Sequence, residues 1–138
     1  MSEEDSTQSE RFQRGLKKLK EISPKSGEVE SNELLRLLDD IAPDVSRYGM
    51  EFVLGEILSR PGLDTKTREM LNIAVLTALC TEMELTMHIN AALNCGVTRN
   101  EVLEIIIQQL VYIGFPRAIN GLKVAKEVFD ERDAKGMS

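Results

Sequence analysis

The stretch DTKTREMLNIAVLTAL, residues 64–79, decides the fold of this chain. Asp64 is a good N-cap, Leu63 can act as the preceding hydrophobic staple, and no Gly or Pro interrupts the residues that follow. Met70, Leu71, Ile73, Ala74, Val75, Leu76, Ala78 and Leu79 cover nearly every side of the second half. The spacing therefore predicts a helix over 65–79, and an apolar circumference predicts that it is buried all round. Ile73 to Cys80, the longest apolar run, is interrupted by Thr77 and is far too short to span a bilayer.

Working outward, Thr81-x-x-Glu84 matches a capping box and predicts a fifth helix ending at Asn94-Cys95-Gly96. Thr98-x-x-Glu101 repeats the signal for a sixth, reaching Gly114, and Pro116 opens a seventh. Upstream, Phe12, Leu16, Leu19 and Ile22 recur at helical spacing until Ser23-Pro24, with basic residues on the outer side. Residues 25–30 read as a loop, and a second helix is expected from about Asn32 to Ile41. A third begins at Pro43 and continues through Leu58 before Arg60-Pro61-Gly62 ends it. Gly49 and Gly55 weaken that helix by about 1 kcal/mol each relative to Ala, which close packing would justify. No run alternates like a strand. The expected fold is all-α with about six to seven helices: residues 1–10 a disordered acidic tail, residues 11–138 a single helical domain.

Composition narrows the class further. Of 138 residues, 42% are hydrophobic and 29% charged, while aromatics are 4% with no Trp, so the core must be aliphatic. A net charge of -6 removes the basic footprint that nucleic acid or an anionic membrane requires. Cys80 and Cys95 are too few for a disulfide scaffold, and no CxxC occurs. Ser2 to Glu10 are polar and acidic, unlike a signal peptide, so a cytoplasmic protein is expected. Helices four to six are very apolar for a chain this short, which can bury only about two-thirds of its unfolded surface. Homo-oligomerisation is the simplest remedy.

His88 is the chain's only histidine, and Glu84 precedes it by one turn. Cys80, Glu84, His88 and Ala92 form a row, and Glu69 can approach it if helices four and five pack antiparallel. An imidazole flanked by carboxylates is a proton-transfer group. Blander readings stand beside this one. Glu84 completes a capping box, Glu69 is a first-turn acid favoured by the helix dipole, and His88 is a half-buried histidine bonded to a neighbour. Arg68 pairs with a nearby acid, and the cysteines are small core residues. One histidine with no Cys/His cluster, HExxH or EF-hand loop leaves no usual metal site, and no Gly-rich phosphate loop is present. No metal or cofactor is expected.

Several elements in order carry a resemblance: Arg60-Pro61-Gly62-Leu63-Asp64, then Thr67-Arg68-Glu69, then Glu84-Leu85-x-x-His88. They continue with Ala91-Ala92-Leu93-Asn94-x-Gly96-Val97-Thr98-x-x-Glu101 and Tyr112-x-Gly114-x-Pro116. From residue 48 to 129 the chain resembles the carboxymuconolactone decarboxylase family, which includes the AhpD-like alkylhydroperoxidases. The resemblance implies a helical subunit in a ring-like homo-oligomer, often a hexamer for decarboxylases and a trimer for the peroxidases. The peroxidase branch uses a CxxC, a His four residues later and a Glu twelve before the first Cys. Those positions are Thr81, Glu84, His88 and Glu69 here, so both thiols are missing. The decarboxylase branch keeps Glu-Leu-x-x-His and commonly has an Arg two residues further on, where this chain has Asn90.

The resemblance thus implies a cofactor-independent decarboxylase acting on a small carboxylated lactone, with His88, Glu84 and Glu69 as acid–base residues. Arg68 and Asn90 are the candidate substrate-binding residues. Two alternatives remain: a peroxidase-type redox protein using Cys80 as a lone thiol, and a non-catalytic ligand-binding oligomer of the same fold.

Overall fold

Asp64 opens the helix that organises the second half of the chain, its carboxylate accepting from the Thr67 N–H at 2.7 Å. That N–H holds the Asp64 carboxyl below its ordinary value. The computed structural model describes residues 9–25 and 33–138. Among them are seven α-helices, one π-helical segment and no strand: α1 Glu10–Ile22, α2 Glu33–Ile41, α3 Pro43–Tyr48, the π-helix Gly49–Ile57, α4 Thr65–Leu79, α5 Glu82–Asn94, α6 Arg99–Ile113 and α7 Phe115–Ala134. None is long and apolar enough to cross a membrane. Most of the expected tail, the loop after residue 25 and the expected start at Asn32 lie outside the described residues. Ser9 caps α1 through its hydroxyl, which accepts from the Phe12 N–H, and Glu10 is already helical.

The described chain divides into two units between Leu63 and Asp64. In the first, α1 packs along the π-helix. Two glycines make this possible: a Cβ on Gly15 would collide with the Met50 carbonyl, and one on Gly55 with the Arg11 carbonyl. Arg14 Nε donates to the Gly55 carbonyl at 3.1 Å, and Arg11 Nε pairs with Glu56 at 2.7 Å. The third helix expected as one α-helix from Pro43 to Leu58 instead turns π-helical at Gly49. Its wider turn is closed by bonds such as Leu58 N–H to Val53 O at 2.8 Å. Gly55 has the close neighbour that explains it, whereas Gly49 faces open space.

The second unit is a bundle of α4 to α7 around Ile73, Leu85, Ile89, Val102, Ile106, Val124 and Val128, all nearly solvent-free. Helix α6 carries the expected capping box, with Glu101 N–H to Thr98 Oγ1 at 3.0 Å and Thr98 N–H to Glu101 Oε2 at 2.7 Å. Helix α5 does not. Thr81 Oγ1 is buried without a hydrogen-bond partner, and Glu84 makes no cap contact. Helix α4 also departs from the expectation of burial all round. It buries one face, Glu69, Ile73 and Thr77, while Leu71, Val75 and Leu79 on another are more than half exposed. A four-helix unit supplies neighbours for one face of α4 and leaves the other without them.

Gly121 on α7 faces Thr77 across the bundle. A Cβ there would lie 2.8 Å from Thr77 Cγ2 and 3.2 Å from Ile106 Cγ2. Thr77 is β-branched and is tied by its hydroxyl to the Ile73 carbonyl at 2.7 Å, so it yields poorly. Alanine's helix preference is worth about 1 kcal/mol and overpacking costs about 1–3 kcal/mol. Gly121→Ala is therefore expected to lower stability in urea titration despite the better helix former.

Candidate functional site

The buried face of α4 that holds Ile73 and Thr77 also holds an acid. Glu69 is 1% exposed, on a helix otherwise placed for apolar packing. A carboxylate in that position needs a donor, because removing it from water without one is costly. The donor comes from α5. The short Cys80–Thr81 link folds α5 back along α4, and His88 Nδ1 lies 2.7 Å from Glu69 Oε2. The side-chain amide of Asn72, one turn after Glu69, lies 3.3 Å from the same nitrogen.

This geometry fixes how the imidazole is used. Glu69 accepts, so the Nδ1 proton is directed at it, and Asn72 serves as a polar neighbour to the ring. Nε2 has no hydrogen-bond partner among the described residues. The His88 side chain retains 22% of its exposure while Glu69 has almost none. A carboxylate held inside and a ring that reaches outward suit an acid–base group positioned from behind.

Glu84 lies one turn before His88 and is half-buried, but His88 bonds to Glu69 instead. Among the described residues Glu84 has no hydrogen bond or ion pair. Arg68 is half-buried on α4 and has its own partner. Asn90 is turned away from His88: two residues further along α5 is about 200° around the helix. Its Nδ2 donates to the Thr86 carbonyl at 3.2 Å, and its Oδ1 accepts from Arg132 Nη1 at 3.1 Å. Cys80 is exposed in the left-handed backbone region at φ 58°, and it forms no disulfide with Cys95. Among the described residues no cluster of His, Cys, Asp and Glu could hold a metal.

Asn72 was not among the residues singled out from the sequence, although its position could have suggested it. It is the lone amide in the apolar run after Glu69 and stands three residues from that acid, hence on the same face. A depression of about 380 Å³ opens elsewhere in this unit, lined by Leu93, Gly96, Val97, Thr98, Arg99 and Ser138. It shares no residue with the Glu69–His88 pair.

Residues 43–127 match the model of the carboxymuconolactone decarboxylase family. Over 122 residues the chain is 38% identical to a 4-carboxymuconolactone decarboxylase of Acinetobacter baylyi, covering 88% of this chain and 89% of that protein. It is 32% identical over 101 residues to an uncharacterized 15.0 kDa protein of Paracoccus denitrificans, covering 72% and 75% of the two chains. A nitrosuccinic acid decarboxylase of Metarhizium robertsii is 33% identical over 86 residues, 62% of this chain and 60% of that protein.

The ring contact can be checked without a substrate. Nitrogen NMR of the single histidine is expected to place the proton of the neutral ring form on Nδ1. Glu69→Gln should move the Nδ1 resonance and redistribute the tautomers. A neutral ring protonated on Nε2 in the unmodified protein would contradict the assignment.

Proposed function

The chain belongs to the carboxymuconolactone decarboxylase family, and on that premise we propose that it is a cofactor-independent decarboxylase acting on a small carboxylated lactone. The observation that carries the reading is the buried Glu69 carboxylate 2.7 Å from His88 Nδ1, which leaves Nε2 for the reacting molecule. The decarboxylases of Acinetobacter baylyi and Metarhizium robertsii support the reaction class.

In the proposed reaction the carbon–carboxylate bond breaks and CO₂ leaves. The bonding electron pair enters the conjugated carbonyl system as an enolate. Protonated His88 then gives its Nε2 proton to carbon, forming the new C–H bond, and solvent restores the proton. Glu69 holds the ring in place and opposes the positive charge of the imidazolium. Glu84, on the same side of α5 as His88 and without a partner of its own among the described residues, is assigned a supporting acid–base role. Arg68 is assigned to the substrate carboxylate. Asn90, committed to Arg132, is left out of this arrangement. A thiol-based peroxidase reading has less support, since Thr81 and Glu84 stand where a thiol pair would be needed.

The same reading includes a ring-like homo-oligomer, a hexamer in preference to a trimer. Its support is the apolar surface that one protomer leaves open: Leu71, Val75 and Leu79 on α4, and Val111, Tyr112 and Phe115 around the α6–α7 link, the last three 69–80% exposed. Patches of this kind on a small helical unit mark association surfaces.

Wild-type protein incubated with 4-carboxymuconolactone is expected to consume the lactone and release CO₂, and His88→Ala to lose roughly 10²–10⁴-fold in rate. No CO₂ from wild type would remove this substrate, and full activity in His88→Ala would remove the histidine mechanism. Light scattering after size exclusion should give a multiple of 15.5 kDa; a monomer at assay concentration would overturn the assembly.

A further inference from the structure

The Glu69–His88 pair has a third member whose hydrogen-bonding capacity is unspent. Asn72 is half-buried on α4 and brings its amide Nδ2 to 3.3 Å from His88 Nδ1, the nitrogen that Glu69 Oε2 already meets at 2.7 Å. That nitrogen carries either a proton or a lone pair, not both. Glu69 takes the hydrogen bond of the proton, so an amide N–H pointed at the same nitrogen sets donor against donor. A half-turn of the amide about its last side-chain bond removes the conflict, because Oδ1 and Nδ2 then exchange places. Oδ1 accepts a second, longer share of the Nδ1 proton, and the NH₂ group turns away from the ring.

The far end of the amide has a definite environment. Apart from His88, the Asn72 side chain has no hydrogen-bond partner among the described residues, and His88 Nε2 has none. A polar atom in that condition is either buried and unsatisfied or in contact with solvent. Thr81 Oγ1 is the one buried, unpartnered side-chain polar atom among the described residues. The far end of the amide and Nε2 therefore both reach the surface, from two side chains that touch each other. Asn72 also stands one turn after Arg68 on α4, hence on the same side of that helix.

We infer that Asn72 holds the oxygen of the reacting molecule while His88 protonates its carbon. The inference rests on the decarboxylase reading and supplies what that reading lacks, a donor for the oxygen on which charge collects. As the carbon–carboxylate bond breaks, its electron pair moves into the conjugated carbonyl and leaves an enolate oxygen. The Asn72 N–H donates a hydrogen bond to that oxygen and keeps its proton. His88 Nε2 then delivers a proton to carbon, the C–H bond forms and the carbonyl is restored. An amide suits this position. It is uncharged, so it does not compete with the imidazolium for Glu69, and its hydrogen bond strengthens as the acceptor becomes anionic. The substrate class is thereby narrowed to molecules whose departing carboxylate is conjugated with a carbonyl.

Tetronate, the stable enolate of a five-membered lactone, is the probe, since it carries the oxyanion and has no carboxylate to lose. On the full chain it is expected to shift the Asn72 side-chain N–H resonances saturably. Asn72→Leu should weaken its binding by at least about tenfold. With 4-carboxymuconolactone, Asn72→Leu should lower kcat by roughly 10²–10³-fold and change KM far less. Asn72→Asp separates contact with the substrate from holding the ring, because it keeps an acceptor toward Nδ1 and loses the donor. It should lose kcat to a similar extent while nitrogen NMR still finds the proton of the neutral ring on Nδ1. No saturable tetronate binding, amide resonances that tetronate does not move, equal affinity in Asn72→Leu, or wild-type kcat in Asn72→Asp would each overturn the assignment. The wild-type titration decides even if neither variant folds. CO₂ release by a protein whose Asn72 is indifferent to tetronate would sink this assignment alone. Tetronate bound through Asn72 in a protein that releases no CO₂ would support the oxygen site and remove the lactone as substrate.

Discussion

A carboxylate buried in an aliphatic bundle must be met by a donor, and that requirement ties the second unit together. Glu69 occupies the same face of α4 as Ile73 and Thr77, where an apolar side chain would pack at no electrostatic cost. Its burial is tolerable because α5 brings the His88 ring to 2.7 Å. The short link at Cys80–Thr81 therefore has a consequence beyond topology, since it sets which turn of α5 faces Glu69. Placing the acid behind the ring also gives direction. One nitrogen is held inside, and the other is left for whatever approaches from outside.

Helix α5 carries polar groups on two sides, and the bundle treats them differently. His88 looks toward α4 and a buried acid. Asn90 and Asn94 look toward α7 and a buried base, Arg132. Between these faces Leu85, Ile89 and Ala92 fill the core. Packed aliphatic side chains thus separate the two buried charges. Glu69 has an ionisable partner, whereas Arg132 meets the amide oxygens of Asn90 and Asn94 and an oxygen of Ser138.

Much of the architecture was legible from local signals. The Asp64 cap, the Thr98–Glu101 box, the Gly96 stop and the Pro116 start each depend on a few adjacent residues, and the structure has helix ends at all of them. Thr81 misled because its sequence is that of a capping box while its backbone, at φ -91° and ψ 85°, does not present the hydroxyl to the helix. The π-helix at Gly49–Ile57 was not legible. Its residues are compatible with an α-helix, and only the approach of α1 at Gly15 and Gly55 accompanies the wider turn.

By itself the sequence determined the helical class, most helix ends and a shortlist of acid–base residues, because caps, breakers and apolar periodicity act over one or two turns. Tertiary structure decided which of those residues meet. Glu84 is one turn from His88 and was the natural partner on a single helix, yet Glu69, nineteen positions away, is the group in contact. Asn90, the candidate substrate-binding residue two positions after His88, meets Arg132 on another face of the helix. The reason is the same in both cases: spacing along a helix fixes which face a side chain occupies, and only the packing of a second helix fixes what that face meets.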